Sequence, residues 1–474
     1  MARQVDVVII GAGSAGLSAM SEVRKKTDNF ILVNQGPYGT SCARVACMPT
    51  KALIEAARAC HGRHFLKYLG VQGTESLTID RPRILAHVRR LRDGFTSGMI
   101  NSTAKLGDKL ITGPARFIDP GTIEVAGRIY QTAKTVIATG SRSIVPSAWY
   151  RLGNRVITTE EIFELTDLPD TMAVIGLGPA GLEMAQALAR LGVKVTGVEQ
   201  GATVGGLSDP EVAAGMVEIL REEMEIHIGM TAEVEATAEG LTVISGAEKV
   251  RVAKVLATMG RRPNLEDLGL ENLGLQSDAG GRLPHDPATM QLGDLPVFIA
   301  GDANGDRPLL HEAIDEGRIA GFNAARDQVA RFRRRTPLAI TFGEPDIVTV
   351  GQRYEEISNL ADCVIGNHDF SSQSRARMSN SNQGLVRIYA RRSDGLVLGA
   401  EMAIPAAEHV GHLLALAIQQ KATINELLRL PFYHPVIEEG IQAALRGLSK
   451  QTDQGKVSDT ELLLCGSHVE DCLS

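Results

Sequence analysis

A glycine-rich turn between an apolar strand and a helix occurs twice in this chain with one spacing, and nothing else in the sequence constrains the fold as much. The first copy is Gly11-Ala12-Gly13-Ser14-Ala15-Gly16. It follows the apolar run Val5 to Ile10 and precedes a predicted helix from about Leu17 to Lys26. A strand from Phe30 to Val33 comes next and ends at Asn34. Strand, turn, helix and strand within about 30 residues make one βαβ unit. The second copy is Gly176-Leu177-Gly178-Pro179-Ala180-Gly181. It follows strand-like Thr171 to Ile175, and leads into a helix through Leu182 to Leu191 and a strand from Lys194 to Val198 that ends at Glu199. From first glycine to strand-end residue is 23 positions in both units, 11 to 34 and 176 to 199. A lone GxGxxG is a weak signal, and its weight here comes from the flanking strand and helix and from the repeat. Each unit is also followed by a similar closing strand, residues 134–140 and 254–260. The chain therefore reads as an α/β protein with two Rossmann-like dinucleotide-binding modules, one inserted within the other.

The remaining sequence fits around these modules. At 474 residues the chain has room for roughly three domains of about 150 residues each. Hydrophobic residues at 44% and charged residues at 22% exclude disorder as its general state. A net charge of −7 with no long basic run argues against nucleic acid as a partner. The short basic stretch at 331–335 is expected to be a solvated helix end. No apolar run approaches the roughly 20 residues of a membrane span. The opening MARQVDVVIIGAG lacks the pattern of an export signal, so a cytoplasmic protein is expected. Residues 101–130 read as short strands and turns. A strand-Gly-Asp ending near 295–302 places Asp302 at a strand end, with a helix from about Leu310. Beyond 335 come short strands (Ala339–Phe342, Asp346–Val350, Leu385–Ala390) and helices (Ala406–Gln420, Thr423–Leu428), a separate α+β domain. The expected division is 1–146 and 267–336 for the two parts of the first nucleotide domain, 147–266 for the second, 337–450 for the α+β domain, and 451–474 as a tail.

The chemistry-bearing residues follow from this layout. A glycine turn opening a helix offers backbone N–H groups and a positive helix end to a diphosphate. An acidic residue closing the next strand accepts hydrogen bonds from ribose hydroxyls and repels a 2′-phosphate, so Glu199 predicts NAD rather than NADP in the second module. In the first module the slot holds Asn34, which can still accept a hydrogen bond. Six cysteines in this length are too sparse for a disulfide scaffold. Cys42 and Cys47 lie five positions apart, just before a predicted helix from Lys51 to Ala59. They can be read as a zinc half-site, as structural thiols or as a redox pair. Zinc sites use tighter spacing and a second pair, which does not follow, so no metal is expected. A dithiol beside a flavin site, its thiolate favoured by a helix N-terminus and a nearby cation, fits better.

At these residues the sequence resembles the flavin-dependent pyridine nucleotide–disulfide oxidoreductases, and among them most of all the dihydrolipoyl dehydrogenases. Cys42, Cys47, Pro49 and Lys51 match the family's Cys, four residues, Cys, then Pro and Lys. Both glycine motifs, the Gly301-Asp302 strand end and His434-Pro435 with Glu439 extend the resemblance over about residues 5 to 446. Asn34 in place of an acidic residue, Ala46 in place of a glycine, Gly39-Thr40-Ser41 in place of Gly-Gly-Thr, and Phe432 in place of a second histidine depart from the family pattern.

The resemblance implies FAD at Gly11, Gly13, Gly16, Asn34, Ser41, Lys51, Ala115, Thr139, Gly140, Asp302 and Leu310. It implies NAD at Gly176, Gly178, Gly181, Glu199 and Gly260. It implies a C-terminal α+β dimerisation domain and a homodimer whose active sites are shared, with His434 and Glu439 supplied by the opposite subunit. The implied reaction is oxidation of a dihydrolipoyl group, free or on a carrier protein, by NAD⁺. His434, oriented by Glu439, takes a thiol proton; the substrate thiolate attacks a Cys42–Cys47 disulfide at Cys42; and Cys47 passes the electron pair to the flavin. Lys51 is implied to lie near the flavin with Glu183 as its ion-pair partner. Alternatives are a disulfide or mercuric reductase that uses Cys465 and Cys472 of the tail as a relay, and a catalytically silent flavoprotein that binds a carrier.

Overall fold

The structure is a computed structural model and describes residues 2–238, 240–453 and Leu462. Strands Arg3–Ile10 and Phe30–Asn34 pair in parallel, and Arg3–Ile10 pairs on its other edge with Arg128–Ile137. Val8, Ile9, Ile31, Leu32 and Val136 have essentially no exposed surface, as expected of parallel strands covered on both faces. The first half of Arg128–Ile137 continues into an antiparallel meander with Thr122–Val125 and Ala115–Asp119. Its second half pairs in parallel with Val297–Ile299, with Thr135 opposite Val297 and Ile137 opposite Ile299. The strand completing the first sheet thus arrives from beyond the whole second unit, as an inserted module requires.

That second unit is a parallel sheet in the order Glu225–Ile228, Lys194–Glu199, Thr171–Ile175, Lys254–Ala257, Val156–Ile157. A three-stranded antiparallel sheet, Ala232–Thr237, Gly240–Ser245 and Glu248–Val252, accompanies it. The third sheet is wholly antiparallel, in the order Leu338–Thr341, Asp346–Gly351, Val397–Ile404, Leu385–Arg391, Cys363–Asp369. Helices Ala407–Gln419 and Glu439–Ser449 pack on it around Val348, Ile388, Met402, Leu414 and Leu445. The architecture is two nucleotide-binding α/β units and a C-terminal α+β unit. Among the described residues no helix is long and apolar enough to cross a membrane, and no three His, Cys, Asp or Glu side chains are grouped to hold a metal ion.

Three local expectations need correction. The helix carrying the second cysteine runs from Cys47 to Tyr68 rather than over Lys51 to Ala59. A long helix, Arg81–Ala104, takes the first four residues of the stretch expected to be strands and turns; turns follow it, and the strands begin at Leu110. Residues 331–335 are not a solvated helix end: the preceding helix, Leu310–Ala324, has already stopped. Arg334 instead turns inward to pair with Glu312 and, at 2.8 Å, with Glu316, two buried carboxylates on that helix. Buried carboxylates need a cation, and Arg334 supplies it.

Candidate active site

The two glycine turns are built alike. Gly11 has φ +114° and Gly176 φ +93°, values that L side chains avoid, and a Cβ on either would strike the closing strand's carbonyl at Ala138 or Thr258. At Gly13 and Gly178, where a diphosphate must approach, a Cβ position has no heavy atom within 4 Å. The strand-end residues also match. Asn34 Oδ1 accepts the N–H of Ala12 at 3.2 Å, and Glu199 Oε2 accepts that of Leu177 at 2.6 Å. Asn34 therefore keeps the turn-fixing half of the acidic residue's role and drops the charge. Glu199 Oε1 also accepts Gly201 N–H at 2.8 Å, leaving lone pairs for a ribose hydroxyl.

Two cavities open from the first turn and share Gly13, Ser41, Ala138 and Gly140 in their walls. The larger, about 560 Å³, includes Gly11, Asn34, Arg44, Ala115 and Thr139. The smaller, about 280 Å³, includes Cys42, Cys47, Lys51, Glu183, Asp302 and Leu310. Together they form a passage from the strand-end Asn34 to the two sulfurs. Gly16 stands behind the wall, under the carbonyl of Gly11. Gly260 lines neither cavity; its carbonyl accepts the N–H of Ile144.

At the sulfur end, Thr40 caps a short helix, Ser41–Arg44, that bears Cys42, and Cys47 begins the 22-residue helix after it. The two thiols share a hydrogen bond. Donation from Cys42 is the main reason the Cys47 thiol is pulled down to about 7; burial opposes the shift and the Lys51 ammonium assists it. Cys42, giving its proton to that bond and partly buried, is pushed up. Cys47 is thus the sulfur that ionises more readily of the two, at a helix N-terminus beside a cation. Lys51 lies one turn further along, its Nζ 2.7 Å from both oxygens of Glu183 and 4.8 Å from the Phe342 ring centre. Glu183 is buried and also accepts the N–H of Phe342 at 2.9 Å, so neither charge is left uncompensated. Asp302 accepts from the Ser141 hydroxyl at 2.6 Å, and Arg261 donates to the same Ser141 oxygen at 2.7 Å.

His434 and Glu439 are brought together but stand apart from this cavity in their own chain. His434 Nδ1 is 2.9 Å from Glu439 Oε1, and the Val436 N–H reaches Oε2 at 3.1 Å. The histidine bond holds the Glu439 carboxyl below the usual carboxylate range. Ionised Glu439 accepts from Nδ1, so Nε2 is free to take a proton. The His434 side chain is 72% exposed and lines neither cavity. Cys465 and Cys472 lie outside the described residues. Sequence reasoning passed over Arg44, Ser141, Arg261 and Phe342. Arg44 was signalled only by its place between the two cysteines, and the others only by the fold that gathers them.

Two nucleotide-binding units, a thiol pair at the end of a passage from the first of them, and a Lys–Glu pair beside the sulfurs define an oxidoreductase that moves electron pairs between a nicotinamide nucleotide, a flavin and paired sulfurs. The chain belongs to the pyridine nucleotide-disulphide oxidoreductases: that family's description matches residues 5–317, and its dimerisation domain matches residues 338–445. It is 30% identical to a dihydrolipoyl dehydrogenase of Thermus scotoductus, over 95% of this chain and 98% of the relative. It is 29% identical to dihydrolipoyl dehydrogenase 2 of Haloarcula marismortui, over 94% and 98%. Among solved structures, LpdA of Mycobacterium tuberculosis superposes with a TM-score of 0.80 at 28% identity, over 93% of this chain and 99% of that one. The cofactors are those of the family, FAD and NAD(H). The residues present fit FAD: the passage is lined by an open glycine cradle, and Arg44 Nε and Thr139 Oγ1 are buried in its wall with no partner. Gly178 offers the same cradle in the second unit.

Proposed function

We propose that this protein oxidises dihydrolipoyl dithiols, free or carrier-bound, with NAD⁺ as acceptor, and that it works as a homodimer in which His434 and Glu439 serve the partner's thiol pair. The observation that carries the reading is the cavity that gathers Cys42, Cys47 and the Lys51–Glu183 pair beside the first glycine turn. Cys47 favours the thiolate, while Cys42, nearer the exposed Ser41, favours the thiol. In a Cys42–Cys47 disulfide Cys47 is then the better leaving group, so an incoming thiolate is directed to Cys42.

His434 Nε2 takes the proton of the substrate's first thiol. The resulting thiolate bonds to Cys42 Sγ, the Cys42–Cys47 bond breaks, and Cys47 leaves as thiolate. The substrate's second sulfur then displaces Cys42, its proton passing to the departing Cys42, which leaves as the thiol; the substrate's own disulfide closes and the protein's pair is left reduced, with one proton held on His434. Bound FAD supplies the relay by which the electron pair leaves Cys47 for the nicotinamide. Lys51, held by Glu183 and stacked on Phe342, keeps a fixed positive charge beside the sulfurs throughout. Glu199 supports NAD⁺ over NADP⁺, because a 2′-phosphate would meet its carboxylate.

The test is steady-state reduction of NAD⁺ and NADP⁺ by dihydrolipoamide and by a dihydrolipoyl carrier domain, with wild type beside Cys42→Ser. Turnover with NAD⁺, little with NADP⁺, and a loss of at least about a thousandfold in Cys42→Ser are expected. An FAD-loaded protein that turns over neither dithiol would overturn the substrate.

A further inference from the structure

Arg44, one of the two unpartnered groups in the wall of the larger cavity, sits between the two cysteines and lines that cavity with Gly13, Thr40, Ser41 and Thr139. Its Nε is buried with no hydrogen-bond partner, and no ion pair holds its guanidinium among the described residues. Of the three acidic residues in the same wall, Glu266 is engaged by Arg142 at 2.6 Å and 2.9 Å, and Glu160 and Asp267 form no ion pair with Arg44 among the described residues. A partly buried cation without an anion is costly, so the arrangement calls for an anion from outside the chain. The cavity opens on the N-terminus of the helix Ser14–Val23, whose first-turn N–H groups and positive end also call for one. Cation and helix end thus converge on one space, with the open face of Gly13 between them.

We infer that Arg44 is the side-chain counter-charge to the FAD diphosphate in this protein. Where the second unit carries Glu199 at its strand end, the first carries neutral Asn34, so the strand end adds no negative charge to a wall that also holds Arg142, Glu160, Glu266 and Asp267. Arg44 also closes the helix that bears Cys42, so the contact ties cofactor retention to the segment carrying the thiols.

The experiment follows FAD release from the holoprotein by the rise of free-flavin fluorescence, over a range of salt concentrations, for wild type, Arg44→Gln and Arg44→Lys. Loss of one charge-assisted contact should speed release in Arg44→Gln about tenfold or more. The salt dependence of release should flatten in that variant, because one screened attraction is gone. Arg44→Lys should recover most of both properties. NADH affinity at the second unit, read by nucleotide fluorescence, should stay at the wild-type value in both. Wild-type release from Arg44→Gln overturns the inference. So does faster release with an unchanged salt slope and no recovery in Arg44→Lys, which would mean that Arg44 acts by packing.

Discussion

The two sulfurs differ by environment, and the difference can be tested one residue at a time. Cys47 is drawn down to about 7 chiefly by the hydrogen bond from Cys42, with Lys51 as a lesser cause. Removing the donor in Cys42→Ala should therefore raise the pH midpoint for alkylation of Cys47 towards the ordinary thiol range near about 8.5. Lys51→Met should raise it by less. The measurement is the rate of iodoacetamide modification against pH in the reduced protein, and an unchanged midpoint in Cys42→Ala would show that the thiols do not share a proton. At this scale the sequence was only half legible. The Cys42–Cys47 spacing, Lys51 and Glu183 could be named from it. That Cys42 is the donor, and that Phe342 N–H completes the shell of Glu183, depends on chain segments that only folding brings together.

Elements present these residues by packing more tightly than side chains would permit. Helix Ser14–Val23, which opens at the first glycine turn, lies directly on helix Leu310–Ala324, which follows Asp302. The contact depends on Gly317 and Gly321: a Cβ on Gly317 would fall 2.2 Å from the carbonyl oxygen of Ala15, and one on Gly321 2.3 Å from that of Ala19. Gly317→Ala must push the helices apart, at a cost of about 1–3 kcal/mol. Because one helix carries the diphosphate cradle and the other follows the Asp302 turn, FAD should also leave faster. Calorimetry and flavin release on the same preparation check this, and an unchanged melting temperature would contradict it. The two βαβ units were legible because strand, turn and helix are local and repeat. The Gly317–Gly321 contact was not, since nothing local says which helix will face those glycines. The helix Cys47–Tyr68 was under-read because His61, Arg63, His64 and Lys67 interrupt its apolar pattern towards the C-terminal end.

The whole molecule raises the question that a single chain leaves to its partner. His434 and Glu439 form a ready proton acceptor, largely exposed on the third unit and outside the cavity that holds their own chain's sulfurs. If each imidazole serves the partner's thiols, a hybrid of one Cys42→Ser chain and one His434→Gln chain contains one fully intact site, made of the second chain's sulfurs and the first chain's histidine. Its other site carries both defects. Both parental homodimers are defective at every site. If the imidazole instead served its own chain, every site in the hybrid would carry a defect and none would work. Random reassembly of equal amounts makes about half of the dimers hybrid, so the shared arrangement predicts recovery of about a quarter of wild-type dihydrolipoamide turnover from two nearly inactive parents. Purifying the hybrid on two different affinity tags should raise this to about half. Recovery that stays at the parental level, in dimers shown by the tags to be mixed and to hold FAD, would mean that the proton acceptor does not cross between subunits.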